Sequence, residues 1–247
     1  MKATIVGCSD AFGTGGRAHT SFLVQSGQAG MLVDFGASSI VSWKKLGLRF
    51  ELIDGVAISH LHGDHFGGLP FLLIDCQFIE RRTRPLLLVG PPGLRQKLDD
   101  ALDLFFPGLK DRDWSFPWRV EEMAPGDPVK IGGFSVQSFA VVHPAGAIST
   151  GLRVGDGAAV FAFSGDTAWT ETLLEISADA DLFLCECSAG DDPIVFHMDW
   201  PTLKSHLARF SAKRIVLTHL GQSAFARRDE MERAGLTIAA DGQVFEF

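Results

Sequence analysis

The stretch AISHLHGDHFGGL, residues 57–69, holds three of the eight histidines of the 247-residue chain and one aspartate within six consecutive positions. The apolar run LIDGVAIS at 52–59 predicts a buried strand that leads directly into them. The polar side chains therefore lie on the loop at the carboxyl end of a strand, where open α/β folds place their chemistry. Three imidazoles crowded in this way repel one another once protonated, so these histidines with an aspartate among them predict a bound cation.

The side chains of this stretch suit a zinc-like ion, because neutral imidazole nitrogens and carboxylate oxygens bind zinc at about 2.0–2.2 Å. His60 and His62 are two residues apart and can point to one ion, which leaves Asp64 and His65 for a second. Gly63 is expected to let the backbone turn sharply enough for these side chains to converge. The alternative is that the histidines are surface residues and that Asp64 caps the following helix.

Three further ligand-type residues follow apolar runs elsewhere in the chain. His143 ends FSVQSFAVVH, Asp166 follows FAFSG, and His219 follows IVLT. Taken singly, each is typical of a cap or of a hydrogen-bonded polar residue. Taken together with the first stretch, they complete the ligand shells of two metal ions.

The rest of the chain alternates predicted strands and helices, with a block of short strands at 118–165. Two runs of strands, each joined to helices, indicate an α/β fold of two packed sheets with helices outside. No linker or repeat is evident, so a single domain over 1–247 is predicted. The final segment, LTIAADGQVFEF, is expected to form a hairpin that turns on Asp241 and Gly242. Helices are predicted at 37–47, 65–82 (with a broken first turn), 92–106, 168–178, 200–210 and 223–234.

The formal charge of −8 argues against a protein that grips nucleic acid by neutralising phosphates, which requires a basic surface. It allows a small anionic substrate, because a bound metal ion dominates the local field. The four cysteines form no CxxC pair, and Cys185 and Cys187 are expected to be small buried side chains. No apolar run approaches the ~20 residues of a membrane span. With an N-terminal apolar run too short for a signal peptide, we expect no membrane partner and a cytoplasmic location.

HLHGDH, followed in order by His143, Asp166 and His219, resembles the metallo-β-lactamase-fold superfamily of binuclear metallohydrolases. The resemblance runs from GCSDAFGTGG near the start to THLG near the end. It implies an αββα four-layer sandwich, with two mixed β-sheets packed face to face and helices outside. It also implies two divalent metal ions with a hydroxide between them as the nucleophile. Zinc is the first expectation, and manganese or iron also suits such ligands. The implied ligands are His60, His62 and His143 for one ion, Asp64, His65 and His219 for the other, and Asp166 as the bridge.

Within the superfamily, HLHGDHFGGLPFLL, FSGDT and LTHL resemble the phosphodiesterase branch, which includes ribonuclease Z and smaller cyclic-phosphate phosphodiesterases. His197, in VFHMDWPTL, resembles an additional histidine of that branch that donates a proton to the leaving oxygen. An imidazole with a pKa of about 6.5 suits that task. The alternative is that His197 is a surface neighbour of a helix cap. The resemblance implies a phosphodiesterase for a small phosphodiester, cyclic ones included, with Asp64 and His197 as catalytic residues.

Other functions stay open on the same ligand set. A tRNA 3′-end endonuclease is disfavoured by the acidic charge and by the lack of an evident Gly/Pro-rich basic arm in the sequence. An acyl hydrolase for a lactone or thioester would keep the metal ions, but lactonases of this fold use a tyrosine and this sequence contains none. A binding protein with an inactive site would be expected to lack a ligand, and all seven are present. The 20 Phe and 5 Trp residues supply apolar surface for a homodimer.

Two polar groups near predicted helices have structural interpretations. Arg81, Arg82 and Arg84 are predicted to form a solvated helix end, where cations interact favourably with the helix dipole. Asp199 precedes Trp200-Pro201 and is predicted to cap the helix that starts there.

The N-terminal loop GCSDAFGTGGRAHT has two interpretations. Its glycine amides and Arg17 could bind a phosphate. Tight turns at Gly13, Gly15 and Gly16 explain the same sequence more simply, and we favour that interpretation. His19 is then a structural residue.

Overall fold

Short runs of apolar and β-branched residues, separated by glycine and polar turns, form the strands of this chain. The computed structural model describes residues 1–109, 111–126 and 128–247, and within these residues fourteen strands form two seven-stranded sheets. The strands are β1 (Lys2–Gly7), β2 (Ser21–Ser26), β3 (Ala29–Val33), β4 (Gly55–Ala57), β5 (Leu86–Gly90), β6 (Trp118–Glu122), β7 (Val129–Ile131), β8 (Phe134–Ala140), β9 (Thr150–Gly155), β10 (Val160–Phe163), β11 (Leu182–Glu186), β12 (Ile215–Thr218), β13 (Thr237–Ile238) and β14 (Val244–Glu246).

The helices connect the parallel strands and cover the outer faces of the sheets. Over the same described residues they are α1 (Ser39–Lys45), α2 (Gly63–Phe66), α3 (Leu69–Phe78), α4 (Leu94–Phe105), α5 (Thr172–Ser177), α6 (Trp200–His206), α7 (Gln222–Ala226) and α8 (Arg228–Arg233). Short 3₁₀ turns lie at Thr14–Gly16, Phe50–Leu52 and Leu207–Arg209.

The two sheets share one mixed design. The order of the first sheet is β14-β1-β2-β3-β4-β5-β6, in which β3 to β6 are parallel and the other neighbours antiparallel. The order of the second sheet is β13-β12-β11-β10-β9-β8-β7, in which β10 to β13 are parallel and the rest antiparallel. Each sheet therefore has a parallel half whose strand ends can carry a site.

Alternate side chains of each strand serve different layers. Phe22 and Val33 lie in the core between the sheets, where the ring of Phe22 packs edge-on against Phe163 of β10 with centroids 5.1 Å apart. Their neighbours Leu23 and Leu32 lie in the core beneath α1, α3 and α4. A third core joins the second sheet to α5, α6, α7 and α8. These layers form the predicted αββα sandwich.

The final segment does not form the predicted hairpin. β13 pairs in parallel with β12 of the second sheet, whereas β14 pairs antiparallel with β1 of the first sheet. A turn does occur at Asp241 and Gly242, where Gly242 has a φ of 83°, but it carries the chain from one sheet to the other. Asp241 holds this crossing by accepting hydrogen bonds from the N–H of Ala18 at 2.7 Å and from Sγ of Cys8 at 3.2 Å.

The predicted helices are present with shorter bounds, and the last one is divided into α7 and α8. The break near the start of the 65–82 helix separates α2 from α3 at Gly67 and Gly68. A Cβ at Gly68 would lie 2.4 Å from the carbonyl oxygen of Gly36, so only glycine fits there. Asp199 caps α6 as predicted, because its Oδ1 accepts from the N–H of Thr202 at 2.8 Å.

The prediction of a solvated arginine cluster is wrong for Arg82. Arg84 is exposed and pairs with Asp54 at 2.5 Å, but Arg82 is only 1% exposed. A buried charge is tolerated only where hydrogen bonds replace its water. The guanidinium of Arg82 donates at 2.5–2.9 Å to the backbone carbonyls of Phe50, Ile53, Arg84 and Pro85.

A membrane-spanning helix is not found among the described residues, since no helix there is both long and apolar enough to cross a bilayer. The four cysteines are buried and free, and Cys185 and Cys187 lie together in the outer core of the second sheet.

Candidate metal centre

The strand ends of the two sheets bring the predicted ligands to one edge of the sandwich. β4 ends shortly before His60, β10 shortly before Asp166, and β12 directly before His219. Thr150, at the start of β9, ties the sheets together there, because its N–H and Oγ1 donate to the carbonyl of Ser59 at 3.0 and 2.8 Å. Residues far apart in the sequence therefore converge on a single centre.

His60, His62 and His143 form a first donor cluster, with ligand atoms all within 4.8 Å of one another. Nδ1 of His62 lies 3.0 Å from Nε2 of His143. His60 is fully buried, and no described residue hydrogen-bonds its Nε2. This is the group that the family resemblance implies for one ion.

Asp64, His65, Asp166 and His219 form a second cluster of the same tightness. Nε2 of His65 lies 3.3 Å from both Asp64 Oδ2 and Asp166 Oδ1. Nε2 of His219 lies 3.2 Å from Asp64 Oδ2 and 3.3 Å from Asp166 Oδ2. Asp166 also faces the first cluster, since its Oδ2 lies 3.8 Å from His60 Nε2. Asp166 thus stands between the clusters, and all seven predicted ligands lie together.

The donor chemistry fits divalent cations. Nε2 of His60, Nε2 of His65 and Oδ1 of Asp166 are buried, and none has a hydrogen-bond partner among the described residues. Leaving buried polar atoms unpartnered is costly and rare. Three such atoms aimed at one centre would be satisfied by metal ions that prefer imidazole and carboxylate ligands, a class that includes zinc, manganese and iron.

The charge states of the ligands agree with a cation site. Burial alone would raise the pKa values of Asp64 and Asp166, but the imidazoles of His65 and His219 hold both pKa values well below the usual carboxyl range. In return, and against the effect of burial, the two carboxylates raise the pKa values of both imidazoles. Those imidazoles must lose a proton before they can coordinate, so a cation that bound here would displace protons.

A buried carboxylate that was not among the predicted site residues orients ligands of both clusters. Asp34 directly follows β3, is 0% exposed, and accepts a hydrogen bond from His65 Nδ1 at 2.7 Å. It also accepts from the N–H and Oγ of Ser59, both at 2.7 Å, and that Oγ lies 3.1 Å from His60 Nδ1. These contacts leave Nε2 of both imidazoles for a metal ion. The sequence signal was its place after the apolar run GMLV.

Glu186 has the equivalent position in the second sheet. It is the last residue of β11, is 0% exposed, and accepts from His197 Nδ1 at 3.1 Å. It also accepts from Ser188 Oγ, which lies 2.9 Å from His219 Nδ1. One carboxylate therefore orients a predicted metal ligand and the predicted proton donor. Its sequence signal was a charged residue inside the apolar run DLFLCEC.

His197 stands beside the two clusters. A ring nitrogen of His197 lies within 4.8 Å of ligand atoms of His143 and Asp166. Burial lowers the pKa of His197, but the hydrogen bond to Glu186 and the charges of Glu186 and Asp166 raise it to about 9. The side chain is 19% exposed, so a substrate entering from solvent can reach it.

The role expected for Gly63 is not found. Gly63 is the first residue of α2, its φ is not positive, and a Cβ there would meet nothing within 4 Å. The close backbone approach occurs instead at Gly36, where a Cβ would lie 2.1 Å from the carbonyl oxygen of Asp64. The ligand loop is therefore seated against the turn after β3, which needs glycine for space.

The N-terminal loop has the turn structure that we favoured. Gly13, Gly15 and Gly16 have φ values of 69°, 73° and 71°, which disfavour other residues. Arg17 braces the loop: its Nη2 donates to the carbonyl of Leu220 at 2.8 Å, and its guanidinium lies 4.5 Å from the ring centroid of Phe225.

His19 is also held by backbone contacts. Its Nδ1 accepts from the N–H of Ser38 at 3.2 Å, and its own N–H donates to Ser38 Oγ at 2.9 Å. These contacts agree with the structural role that we expected for this histidine.

Known proteins of the same fold share this architecture. The probable metallo-hydrolase YhfI of Bacillus subtilis is 26% identical over 247 residues, which cover 96% of this chain and 93% of YhfI. The crystal structure of YhfI, a metallo-β-lactamase fold protein, matches with a TM-score of 0.79 and 22% identity over 100% of this chain and 99% of that one. The short form of human tRNase Z matches with a TM-score of 0.81 and 23% identity, over 100% and 99% of the two chains. A diphosphatase from the PhnP family matches with a TM-score of 0.80 and 17% identity, over 100% and 97%.

A family model covers nearly the whole chain. The model described as Anti-Pycsar protein Apyc1 matches residues 1–245, a span that includes every ligand of both donor clusters. The likeness to the solved structure of YhfI shows that the chain has the metallo-β-lactamase fold. The chain is therefore a metallo-β-lactamase-fold protein that belongs to the family of Anti-Pycsar protein Apyc1.

Proposed function

We propose that this protein is a dinuclear metal-dependent phosphodiesterase that acts on a small phosphodiester, cyclic phosphodiesters included. The observation that carries the proposal is the pair of donor clusters joined at Asp166, with His197 beside them. When bound, two divalent cations would supply an activated water as the nucleophile and would stabilise the charge that develops on the phosphate. Zinc is the first candidate, with manganese and iron as alternatives.

The residues of this chain would supply the orientation and the proton. Asp34 and Glu186 hold the Nδ1 sides of His65 and His197, so the opposite ring nitrogens are free to face the centre. Attack of water on a phosphodiester forms one P–O bond and breaks another, and the alkoxide that is released needs a proton as that bond breaks. His197 can donate that proton from the ring nitrogen that faces the centre.

The choice of a phosphodiester over an acyl substrate has two supports. The imidazole of His197 lies beside the donor clusters and could protonate a leaving oxygen. Such a proton donor contributes most when the oxygen is a poor leaving group, as in an alkyl phosphodiester. Among the proteins of similar fold, one is named a tRNase and another a diphosphatase.

The overall charge of −8 favours a small anion drawn in by the metal ions over a polyanionic nucleic acid.

The test is the rate on bis-p-nitrophenyl phosphate beside a lactone and a thioester, with metal content determined on the same sample. We expect diester cleavage together with close to two metal ions per chain, followed by turnover of a cyclic phosphodiester. Cleavage of the acyl substrates alone, with the same metal content, would support the two-metal site but would make the protein an acyl hydrolase. Preferential cleavage of a tRNA precursor would make it a nuclease.

Two variants test whether diester cleavage depends on the two donor clusters. His60→Ala removes a ligand from the first cluster, and Asp166→Ala removes the bridge. We expect each to abolish turnover and to lower the metal content, since a missing ligand opens the coordination shell. Full activity in either variant would show that the dinuclear mechanism is wrong.

A further inference from the structure

The loop between β11 and α6 is closed at its base and open at its tip. The N–H of Ala189 donates to the carbonyl of Met198 at 3.1 Å, and the N–H of Trp200 donates to the carbonyl of Ala189 at 2.9 Å. The loop also carries an ion pair between Asp191 and Arg227 near its start. Residues 191–196 are exposed, so core packing does not determine the conformation of the tip.

Phe196, at this tip, has an unusual backbone. Its φ is 66°, in the left-handed region that bulky residues other than glycine rarely occupy. Such a conformation costs about 1–3 kcal/mol and is found mainly at functional sites. Phe196 is the third residue of a turn that the N–H of His197 closes by donating to the carbonyl of Ile194 at 3.0 Å, a position at which some turns require a positive φ. Its ring is 45% exposed, so the turn and not burial of the side chain accounts for the conformation.

The left-handed backbone of Phe196 serves two groups of the metal centre. Its carbonyl accepts a hydrogen bond from Nδ1 of His143 at 3.1 Å. The next residue along the chain is His197, whose Nδ1 is bound to Glu186. The direction of the peptide that joins residues 196 and 197 therefore fixes both a predicted ligand and the predicted proton donor.

The carbonyl contact also selects a tautomer. A carbonyl oxygen only accepts, so His143 must carry its hydrogen on Nδ1 and present a bare Nε2 to the centre. That Nε2 lies 3.0 Å from Nδ1 of His62, within the first donor cluster. The Nδ1 atoms of His60, His65 and His219 are held in the same way by Ser59, Asp34 and Ser188, whereas that of His143 is held by a backbone carbonyl.

We propose that Phe196 is a positioning residue, whose left-handed backbone holds His143 in its ligating tautomer and places His197 over the centre. This role rests on the proposed function, because it names the backbone group that orients one predicted ligand, His143, and the predicted proton donor, His197. It assigns the role to the backbone conformation and not to the phenyl ring.

The test separates the conformation from the side chain. Phe196→Val keeps an apolar side chain but is β-branched and strongly disfavours a positive φ, whereas Phe196→Asn discards the ring and accepts the left-handed region. We expect the Val variant to lose about 10-fold to 100-fold in affinity for zinc in competition with a chelator, as for other lost ligand-orienting contacts. We expect the Asn variant to bind zinc as the wild type does. Val195→Asn, at the exposed neighbouring position, is the matched control and should change nothing.

A second measurement does not depend on any variant. The ¹⁵N chemical shifts of the histidine rings in metal-free wild-type protein, at alkaline pH, should show His143 with its hydrogen on Nδ1. Hydrogen on Nε2 instead would overturn the proposal, and so would equal zinc affinity in the Val variant and the wild type. An Asn variant as weak as the Val variant would overturn it as well, because the ring would then be what matters. A wild-type protein that binds no metal would instead defeat the proposed function, so the two failures are distinguishable.

Discussion

Two buried carboxylates, Asp34 and Glu186, orient the imidazoles of the centre, although neither is a predicted metal ligand. Asp34 contacts His65 directly and reaches His60 through Ser59, so it influences both donor clusters. Glu186 contacts His197 directly and reaches His219 through Ser188. Each sheet thus supplies one buried acid that fixes the hydrogen positions of two imidazoles.

The variant Asp34→Asn tests this control. An amide in place of the carboxylate cannot accept from His65 Nδ1 and from both Ser59 donors with the same charge and geometry. We expect about 10-fold to 100-fold weaker metal binding. Zinc competition with a chelator measures this directly, with the isosteric change at exposed Asp192 as the control. An affinity equal to that of the wild type would show that Asp34 supports the fold alone.

The pair His197 and Glu186 is tested by a double-mutant cycle. His197→Ala is expected to slow diester cleavage by about 10²-fold to 10⁴-fold, the usual contribution of a general acid, while the metal ions stay bound. Glu186→Gln should also slow the reaction, because it releases Nδ1 of the imidazole. If Glu186 acts on the rate through His197 and not through Ser188 and His219, the double variant should be little slower than His197→Ala. Independent, additive losses would contradict that coupling.

At the scale of the elements, the site depends on the backbone conformation of the residues that directly follow two strands. Asp34 after β3 and His219 after β12 have φ values of 56° and 58°, so two strands leave their sheets through left-handed residues that carry site side chains. Strained backbone of this kind persists only when its surroundings hold it in place. For His219 the hydrogen bond from its N–H to the carbonyl of Cys8 at 3.0 Å supplies part of that support.

Arg82 stabilises the connection between α3 and β5 by donating hydrogen bonds to backbone carbonyls. It joins the 3₁₀ turn at Phe50–Leu52 to this connection through buried carbonyls. Arg82→Leu would leave several of these acceptors without a donor, at about 1–3 kcal/mol for each. We expect the free energy of unfolding to fall by about 3 kcal/mol or more, as measured by urea denaturation.

The matched control for Arg82 is the same substitution at Arg119, whose side chain is 68% exposed and pairs with Glu121 at 2.9 Å. An exposed pair contributes about 0–1 kcal/mol, so Arg119→Leu should change the stability little. Equal losses in the two variants would mean that the buried hydrogen bonds of Arg82 contribute no more than a surface pair.

At the scale of the whole molecule, the metal centre joins the two sheets. His60 and Asp64 come from the first sheet and His219 from the second, so a bound cation would link the two halves of the sandwich. We expect chelation to lower the melting temperature. Saturation with metal at 100 times its dissociation constant contributes about 2.7 kcal/mol to the stability of the folded state.

The pH dependence of that stabilisation has a definite sign. The pKa values of His65 and His219 are raised by Asp64 and Asp166, and both imidazoles must be deprotonated to coordinate. Protons therefore compete with the cation more strongly as the pH falls, and metal affinity should decrease with it. Calorimetric titration at several pH values measures this, and Asp166→Ala, which lacks the bridge, should show little thermal response to a chelator.

The sequence by itself determined the candidate ligands and the layered fold. Metal coordination admits few residue types, and here each candidate follows an apolar, strand-like run, so HLHGDH with His143, Asp166 and His219 could be recognised without coordinates. The two runs of short strands, each joined to helices, likewise predicted two packed sheets, because sheets and helices must bury their apolar faces against one another.

Only the tertiary structure decided which groups orient those ligands and where the last strands go. Asp34 and the carbonyl of Phe196 act through contacts with residues 25 or more positions away, and no local pattern encodes such pairs. Glu186 contacts Ser188 and His197, 2 and 11 positions along the chain, and it reaches His219 through Ser188. The partner of β14 is at the other end of the chain, and Arg82 finds its acceptors in a separate turn. A hydrogen bond is specified by the positions of two atoms, and those positions exist only once the whole chain has packed.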